Sequence, residues 1–224
     1  INFHLYHYAG NNPVRVVDPD GRITINAICS MFMNKRSAIL GIQPNRGGED
    51  QPKALTIGGY GCVVTFYARL ASTISGEEIT PEMINDYAIK NNLFEVDTSD
   101  SYYDVTLLSP EAGVKAVNGI LKEKGITNVS LDVEDTIYSS NMTYICNTLN
   151  KYDSDKKNYY IYGLRIDNKH TINLNKDFSK SNPYTVLRNW YCEKETSRVK
   201  YGSVNYNNPT ILYIFKVNFN NEAE

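Results

Sequence analysis

The sequence predicts an α+β domain, with helices in its first half and an antiparallel sheet in its second. Three observations carry this. Apolar residues recur at helical spacing after Cys62 and again after Ser109, two Ser/Thr-Pro-Glu helix starts stand at Thr80 and Ser109, and from Tyr159 onward the pattern changes to short β-branched and aromatic runs. A chain of 224 residues, 42% hydrophobic and 21% charged, suffices for one globular domain with a sizeable core. A formal net charge of -2 gives no electrostatic reason to expect nucleic acid or an anionic membrane as the main partner. No apolar run reaches membrane-spanning length, and Ile1-Asn2-Phe3-His4 lacks the basic and then apolar pattern of an export signal.

Ile23-Thr24-Ile25-Asn26-Ala27-Ile28 alternates like a short strand, and the stretch from Gln43 to Pro52 is a loop by composition. After Cys62, apolar residues at Val63, Phe66, Tyr67 and Leu70 form the stripe of a core-facing helix that ends near Gly76. Thr80-Pro81-Glu82 and Ser109-Pro110-Glu111 each place a capping hydroxyl before a proline at the first helical position, with an acid near the positive end of the helix dipole. The second of these helices gathers Val114, Val117, Ile120 and Leu121 on one face and stops at Gly125. A fourth helix is predicted over 137–149. Strands are predicted at 159–166, 170–174, near 184–187 and at 210–217, with Tyr159, Tyr160 and Tyr162 as candidate cleft-lining side chains.

Within this order the chemically pointed feature is Gly58-Gly59-Tyr60-Gly61-Cys62, a glycine-rich approach to a cysteine in the first turn of a helix. The positive end of a helix dipole favours thiolate over thiol, which predicts a depressed pKa and a nucleophile at Cys62. Cys29 and Cys146 read as core-filling thiols, and Cys192 has no activating feature. No two of the four cysteines form a Cys-x-x-Cys pair, so neither a zinc knuckle nor a thioredoxin-type site is expected, and no cofactor or metal is expected. Their even number leaves disulfide pairing open.

The first stretch differs in character. Tyr6-His7-Tyr8-Ala9-Gly10-Asn11-Asn12-Pro13-Val14 and Asp18-Pro19-Asp20-Gly21-Arg22 combine an Asn-Asn-Pro turn, a short apolar strand and an Asp-Pro-Asp-Gly turn. This segment, about the first tenth of the chain, resembles the one that closes the core of Rhs and YD-repeat proteins. In that family it marks the junction between an encapsulating shell and a variable C-terminal toxin, which acts on neighbouring cells and is neutralised by an immunity protein. The resemblance implies an Rhs-core-like terminal segment at 1–22 and a toxin domain at 23–224. It further implies delivery from a bacterium as the C-terminus of a larger Rhs-type protein, a cognate immunity protein and a protein substrate in the target cell.

Gly61-Cys62-Val63-Val64-Thr65, followed by Ile79-Thr80-Pro81-Glu82-Met83-Ile84-Asn85-Asp86-Tyr87 and Asn91-Asn92, resembles the bacteriocin-leader-processing-like branch of papain-fold peptidases. That branch shows Gly-Cys-x-Val-Thr, a helix and then Thr-Pro-x-x-Leu-Asn. The resemblance spans about a third of the chain and implies a papain-like fold with Cys62 as nucleophile. His4 and His7 lie in the Rhs-like segment, which leaves His170, at the start of a strand, as acid/base. A tight turn at Asn175-Lys176-Asp177 would set residue 182 opposite residue 170, so Asn182 becomes the candidate orienter of the imidazole. Asn182-Pro183 also stands where the branch carries Asp-Pro or Asn-Pro, while Ser181-Asn182-Pro183 as a plain turn stays open.

Asp177 and Asn173 are reserves, and two-residue alternation puts Asn173 on the face opposite His170. By analogy an upstream glutamine joins the oxyanion hole, and Gln51 is nearer to Cys62 than Gln43. The implied reaction is thiolate attack on a protein amide, leading to peptide hydrolysis, deamidation or transglutamination. A nuclease-type toxin using His170 with nearby lysines, and a non-catalytic papain-like binding module, are the alternatives.

Overall fold

In the computed structural model, which describes residues 57, 61–97, 105–166, 168, 170–176, 184–186 and 208–220, helix α1 (Cys62–Ser75) begins at the cysteine. It ends at Gly76, whose φ of 70° lies in the left-handed region and whose N–H bonds the Ser72 carbonyl at 3.0 Å. Helices α2 (Pro81–Lys90) and α3 (Pro110–Glu123) start at the two proline signals. Thr80 Oγ1 accepts from the Met83 N–H at 3.2 Å and Ser109 Oγ from the Ala112 N–H at 3.3 Å, so each cap satisfies an otherwise orphaned donor.

Helix α4 (Met142–Asp153) starts later than the predicted 137–149. Ile137 and Tyr138 belong instead to strand β3 (Val129–Tyr138), where Ile137 pairs with Leu212. The Ser139 N–H prolongs that pairing to the Thr210 carbonyl at 3.1 Å, and the helix waits for Asn141, whose Oδ1 accepts from the Tyr144 N–H at 3.1 Å. Strands β1 (Glu95–Asp97) and β2 (Val105–Leu107) form a small antiparallel ladder of their own.

The main sheet adds β4 (Tyr159–Ile166), β5 (His170–Lys176), β6 (Tyr184–Val186) and β7 (Pro209–Phe219), close to the predicted runs, in the order β3-β7-β4-β5-β6. Every pairing is antiparallel, and the last strand in sequence inserts between β3 and β4. Helices before and around an antiparallel sheet make the domain α+β. The segment 1–22, the strand predicted at 23–28, the 43–52 loop, Cys29 and Cys192 lie outside the described residues. Among the described residues no helix is long and apolar enough to cross a membrane.

The sheet separates two cores. On one face lies α1, buried on nearly every side, with α2 and α3 packed around it. Phe66 sits on Gly163 of β4, and an added Cβ there would lie 2.4 Å from the ring's Cζ. Phe66 also approaches Phe215 at 5.8 Å between centroids, while Tyr67 meets Phe215 at 6.1 Å, edge to face at 81°. Tyr67 in turn rests on Gly113 of α3, and Tyr87 of α2 on Gly119. Asn118 ties α3 to the edge strand by receiving the Leu131 N–H and donating to its carbonyl, both at 2.8 Å. On the other face Ile145 and Leu149 of α4 pack against Leu164, Ile166, Ile172 and Ile214.

The Gly163 contact yields a stability test. Gly163→Val places a branched side chain where the Phe66 ring lies and should lower the unfolding free energy by about 1–3 kcal/mol in urea titration, the usual range for overpacking. Adding Phe66→Leu should return part of that loss through coupling of two touching sites. Wild-type stability in the single variant would contradict the packing described.

Candidate active site

Gly61 is the N-cap of α1, with φ -82° and ψ 28°, and its N–H bonds the Ile57 carbonyl at 2.8 Å. A Cβ on Gly61 would stand 2.6 Å from that oxygen and 2.8 Å from the Ile57 Cα, so the close approach of two backbone segments requires glycine here. The carbonyl of Gly61 accepts both the Thr65 N–H at 3.0 Å and Thr65 Oγ1 at 2.8 Å. Unlike the capping residues of α2, α3 and α4, Gly61 offers no side chain to the first-turn amides. The N–H groups of Cys62 and Val63 instead favour the thiolate form of Cys62.

A third amide reaches the same sulfur from the sheet. The N–H of Thr171 points at Cys62 Sγ, so the thiol lies against the peptide unit that joins His170 to Thr171. This contact brings positions 62 and 170 to one end of the domain. The pleat then distributes the β5 side chains. Thr171 is opposite Arg165 and Asn173 opposite Gly163, on the face where Phe66 lies over Gly163, whereas His170 is opposite Ile166 and shares the α4 face with Ile172 and Leu174. Asn173 and His170 are therefore on opposite faces, as alternation requires, but it is Asn173 that lies on the α1 side. Its Oδ1 is buried with no hydrogen-bond partner among the described residues.

Burial decides the electrostatics. The Cys62 thiol is pushed above its ordinary 9.0 because loss of water outweighs the Thr171 N–H, the Arg165 charge and the two first-turn amides, all of which favour thiolate. The depressed pKa expected from the helix dipole is thus corrected: the dipole's amides are in place, but they lose to desolvation. His170 is buried, and its pKa falls from 6.5 to about 4, first through desolvation and then through the Arg69 charge. At neutral pH the site therefore holds a thiol and a neutral imidazole. Cys146, half-buried on α4, is raised by burial alone, in keeping with a packing role.

Val63 and Thr171, the neighbours of the thiol, wall a cleft of about 140 Å³ together with Phe66, Tyr67, Arg165 and Tyr213. Arg165 donates to the Asn168 carbonyl at 2.9 Å, and its charge favours the ionised form of the neighbouring Tyr213 phenol. Tyr67 donates to the Ser109 carbonyl at 3.4 Å, and burial lifts its pKa well above 10.0. The tyrosines expected to line the cleft do not. Tyr160 and Tyr162 face α4 and donate to Asp155 at 3.2 Å and Asp153 at 2.8 Å, and Tyr159 stacks with Phe219 at 6.2 Å. Arg165, Tyr213 and Thr171 were not anticipated from the sequence. A usable signal existed in Gly163-Leu164-Arg165, since period-2 spacing puts the arginine on the face of a glycine kept bare for a helix.

The strand does not turn at Asn175 and Lys176, where a tight turn was expected. Lys176 pairs with Tyr184 and Leu174 with Val186, so Asn175 and Lys176 stay in the ladder and the connection runs through 177–183. Asn182, Asp177 and Gln51 lie outside the described residues. Among the described residues no group of three or more His, Cys, Asp or Glu side chains could hold a metal ion.

The His170 environment has a measurable consequence. Its folded pKa lies below the unfolded 6.5, so the unfolded chain takes the proton first; stability is full above 6.5 and is lost as pH falls toward 4. The loss across that window is roughly 3 kcal/mol in equilibrium unfolding, and His170→Gln should flatten it. An unchanged slope in the variant would show that His170 is not held neutral by burial. Compared with protein-family models, curated proteins and solved structures, the chain matches none.

Proposed function

We propose that the domain is a papain-like thiol enzyme of the cysteine-peptidase type, acting on a protein amide bond as the toxin of a bacterial Rhs-type effector. The observation that carries the enzymatic part is the placement of the Cys62 sulfur between the uncapped first turn of α1 and the peptide unit joining His170 to Thr171. A reactive thiol needs donors where negative charge develops and a base at the root of the site, and both come from these two segments. The toxin part, with its protein target and immunity partner, rests on the Rhs-like residues at 1–22.

In the proposed reaction Cys62 Sγ bonds the acyl carbon while its proton passes to His170. The carbonyl oxygen becomes an oxyanion beside the first-turn amides and the Thr171 N–H. Collapse breaks the C–N bond, the leaving amine takes the proton back from His170, and a thioester remains. Water resolves it in hydrolysis or deamidation, and an amine does so in transglutamination. Because the resting thiol and imidazole are both neutral, the ion pair forms only as each charge stabilises the other during proton transfer. The proposed proton transfer requires the imidazole to come to the sulfur past the β5 strand, because His170 shares the α4 face with Ile172 and Leu174.

One observation favours a second reading. The His170 side chain belongs to the α4 face, which suits a papain-like binding module whose cysteine does no chemistry. Expression in bacterial cells separates the two. For the enzyme, Cys62→Ala abolishes toxicity with thermal unfolding unchanged, and His170→Gln lowers it by about 100-fold or more in effective dose, the range for loss of a general base. A Cys62→Ala protein as toxic as wild type overturns the thiol enzyme.

A further inference from the structure

The cleft beside Cys62 contains a group that thioester chemistry does not itself require: the guanidinium of Arg165. This side chain leaves β4 on the α1 face, directly across from Thr171 and next to the thiol. It is half-buried, donates to the Asn168 carbonyl at 2.9 Å and lines the cleft beside the Tyr213 phenol. Among the described residues no carboxylate stands within ion-pair distance of it. A half-buried guanidinium that donates to a neutral carbonyl keeps donors for an anion, and its planar fork matches a carboxylate.

The walls strengthen that match. Val63, Phe66 and Tyr67 are apolar or aromatic, so a charge inside the cleft is poorly screened and attracts more strongly than it would at an open surface. The volume of about 140 Å³ is well below the roughly 300–1,000 Å³ of ordinary small-molecule pockets, which limits the occupant to one side chain or a chain end. Glu95 also lines the cleft, but it is exposed on the β1 rim, where solvent screens it. We propose that this cleft selects acyl donors carrying a carboxylate, which Arg165 and Tyr213 hold so that the neighbouring carbonyl carbon lies at Cys62. The carboxylate is that of an acidic side chain or of a peptide terminus. The role in catalysis rests on Cys62 as nucleophile; the charge preference does not.

The test therefore reads the thiol itself. The purified chain is alkylated with iodoacetate or iodoacetamide, reagents of nearly equal shape, and the modified cysteines are located by mass spectrometry. In both cases Cys62 Sγ displaces iodide, which leaves with the bonding pair, and the thiol proton goes to water. The iodoacetate to iodoacetamide rate ratio at Cys62 should exceed that at Cys146 by about tenfold, the effect of one favourable charge contact. Arg165→Gln should bring the two ratios together. It will also slow both reagents, since the lost charge raises the thiol further, but a ratio is insensitive to that. Arg165→Lys, which keeps the charge, should retain a preference, and Glu95→Gln should increase it.

Acetyl-glutamyl and acetyl-glutaminyl chloromethyl ketones, with chloroacetyl-glycine and its amide, then distinguish the carboxylate's source. Faster labelling by the glutamyl probe identifies an acidic side chain, and faster labelling by chloroacetyl-glycine a chain terminus. Equal ratios at Cys62 and Cys146 in the wild type, or a Cys62 ratio unchanged by Arg165→Gln, overturn the proposal. A toxic Cys62→Ala protein would instead overturn the enzymatic reading and leave the charge preference standing.

Discussion

The seat of Phe66 on Gly163 is the contact on which the rest of the structure depends. Because β4 carries no side chain at that point, α1 comes close enough to the sheet for Phe66 to reach Phe215 and for Tyr67 to bridge to α3. Four residues earlier on the same helix, Cys62 is thereby brought against the Thr171 amide. Gly61 plays the matching part at the helix end, where only a bare Cα fits against the Ile57 backbone. A bare position in the sheet and another at the cap together set the depth and the height of the sulfur.

That placement creates an electrostatic contest with a clear winner. Three backbone amides and the Arg165 guanidinium all favour thiolate at Cys62, yet burial keeps the thiol protonated. The same burial strips His170 of its proton. A helix N-terminus is commonly equated with an activated cysteine, but the dipole acts through a few amides worth fractions to a couple of kcal/mol, whereas removing an ion from water costs several. At rest such a site holds a neutral thiol and a neutral imidazole.

The helical elements were legible because their signals are local. Thr80-Pro81 and Ser109-Pro110 cap and start their helices through bonds to residues three positions on, and Gly76 ends α1 through its own left-handed backbone. The strands at 159–166 and 209–219 were readable from β-branched and aromatic density. Strand β3 was missed: its alternation of more and less buried residues holds over 129–134 but breaks at the bulge between Val133 and Asp135, and its partner lies some eighty residues away at β7. The tight turn expected at Asn175-Lys176 is absent for a related reason. Register depends on how far a ladder continues, and here Asn175 and Lys176 remain paired instead of turning.

The candidate site divides along the same line. From sequence alone came the α+β class, the helix that begins at Cys62, the glycine that must precede it and the strand that begins at His170, because each follows from local backbone preferences and periodicity. Only the tertiary structure decided that the sulfur meets the His170–Thr171 peptide and that Arg165 and Tyr213 share its cleft. It also decided that desolvation overrides the dipole. Those outcomes depend on which strands become neighbours and on how much water their packing excludes, and no local stretch of chain encodes either quantity.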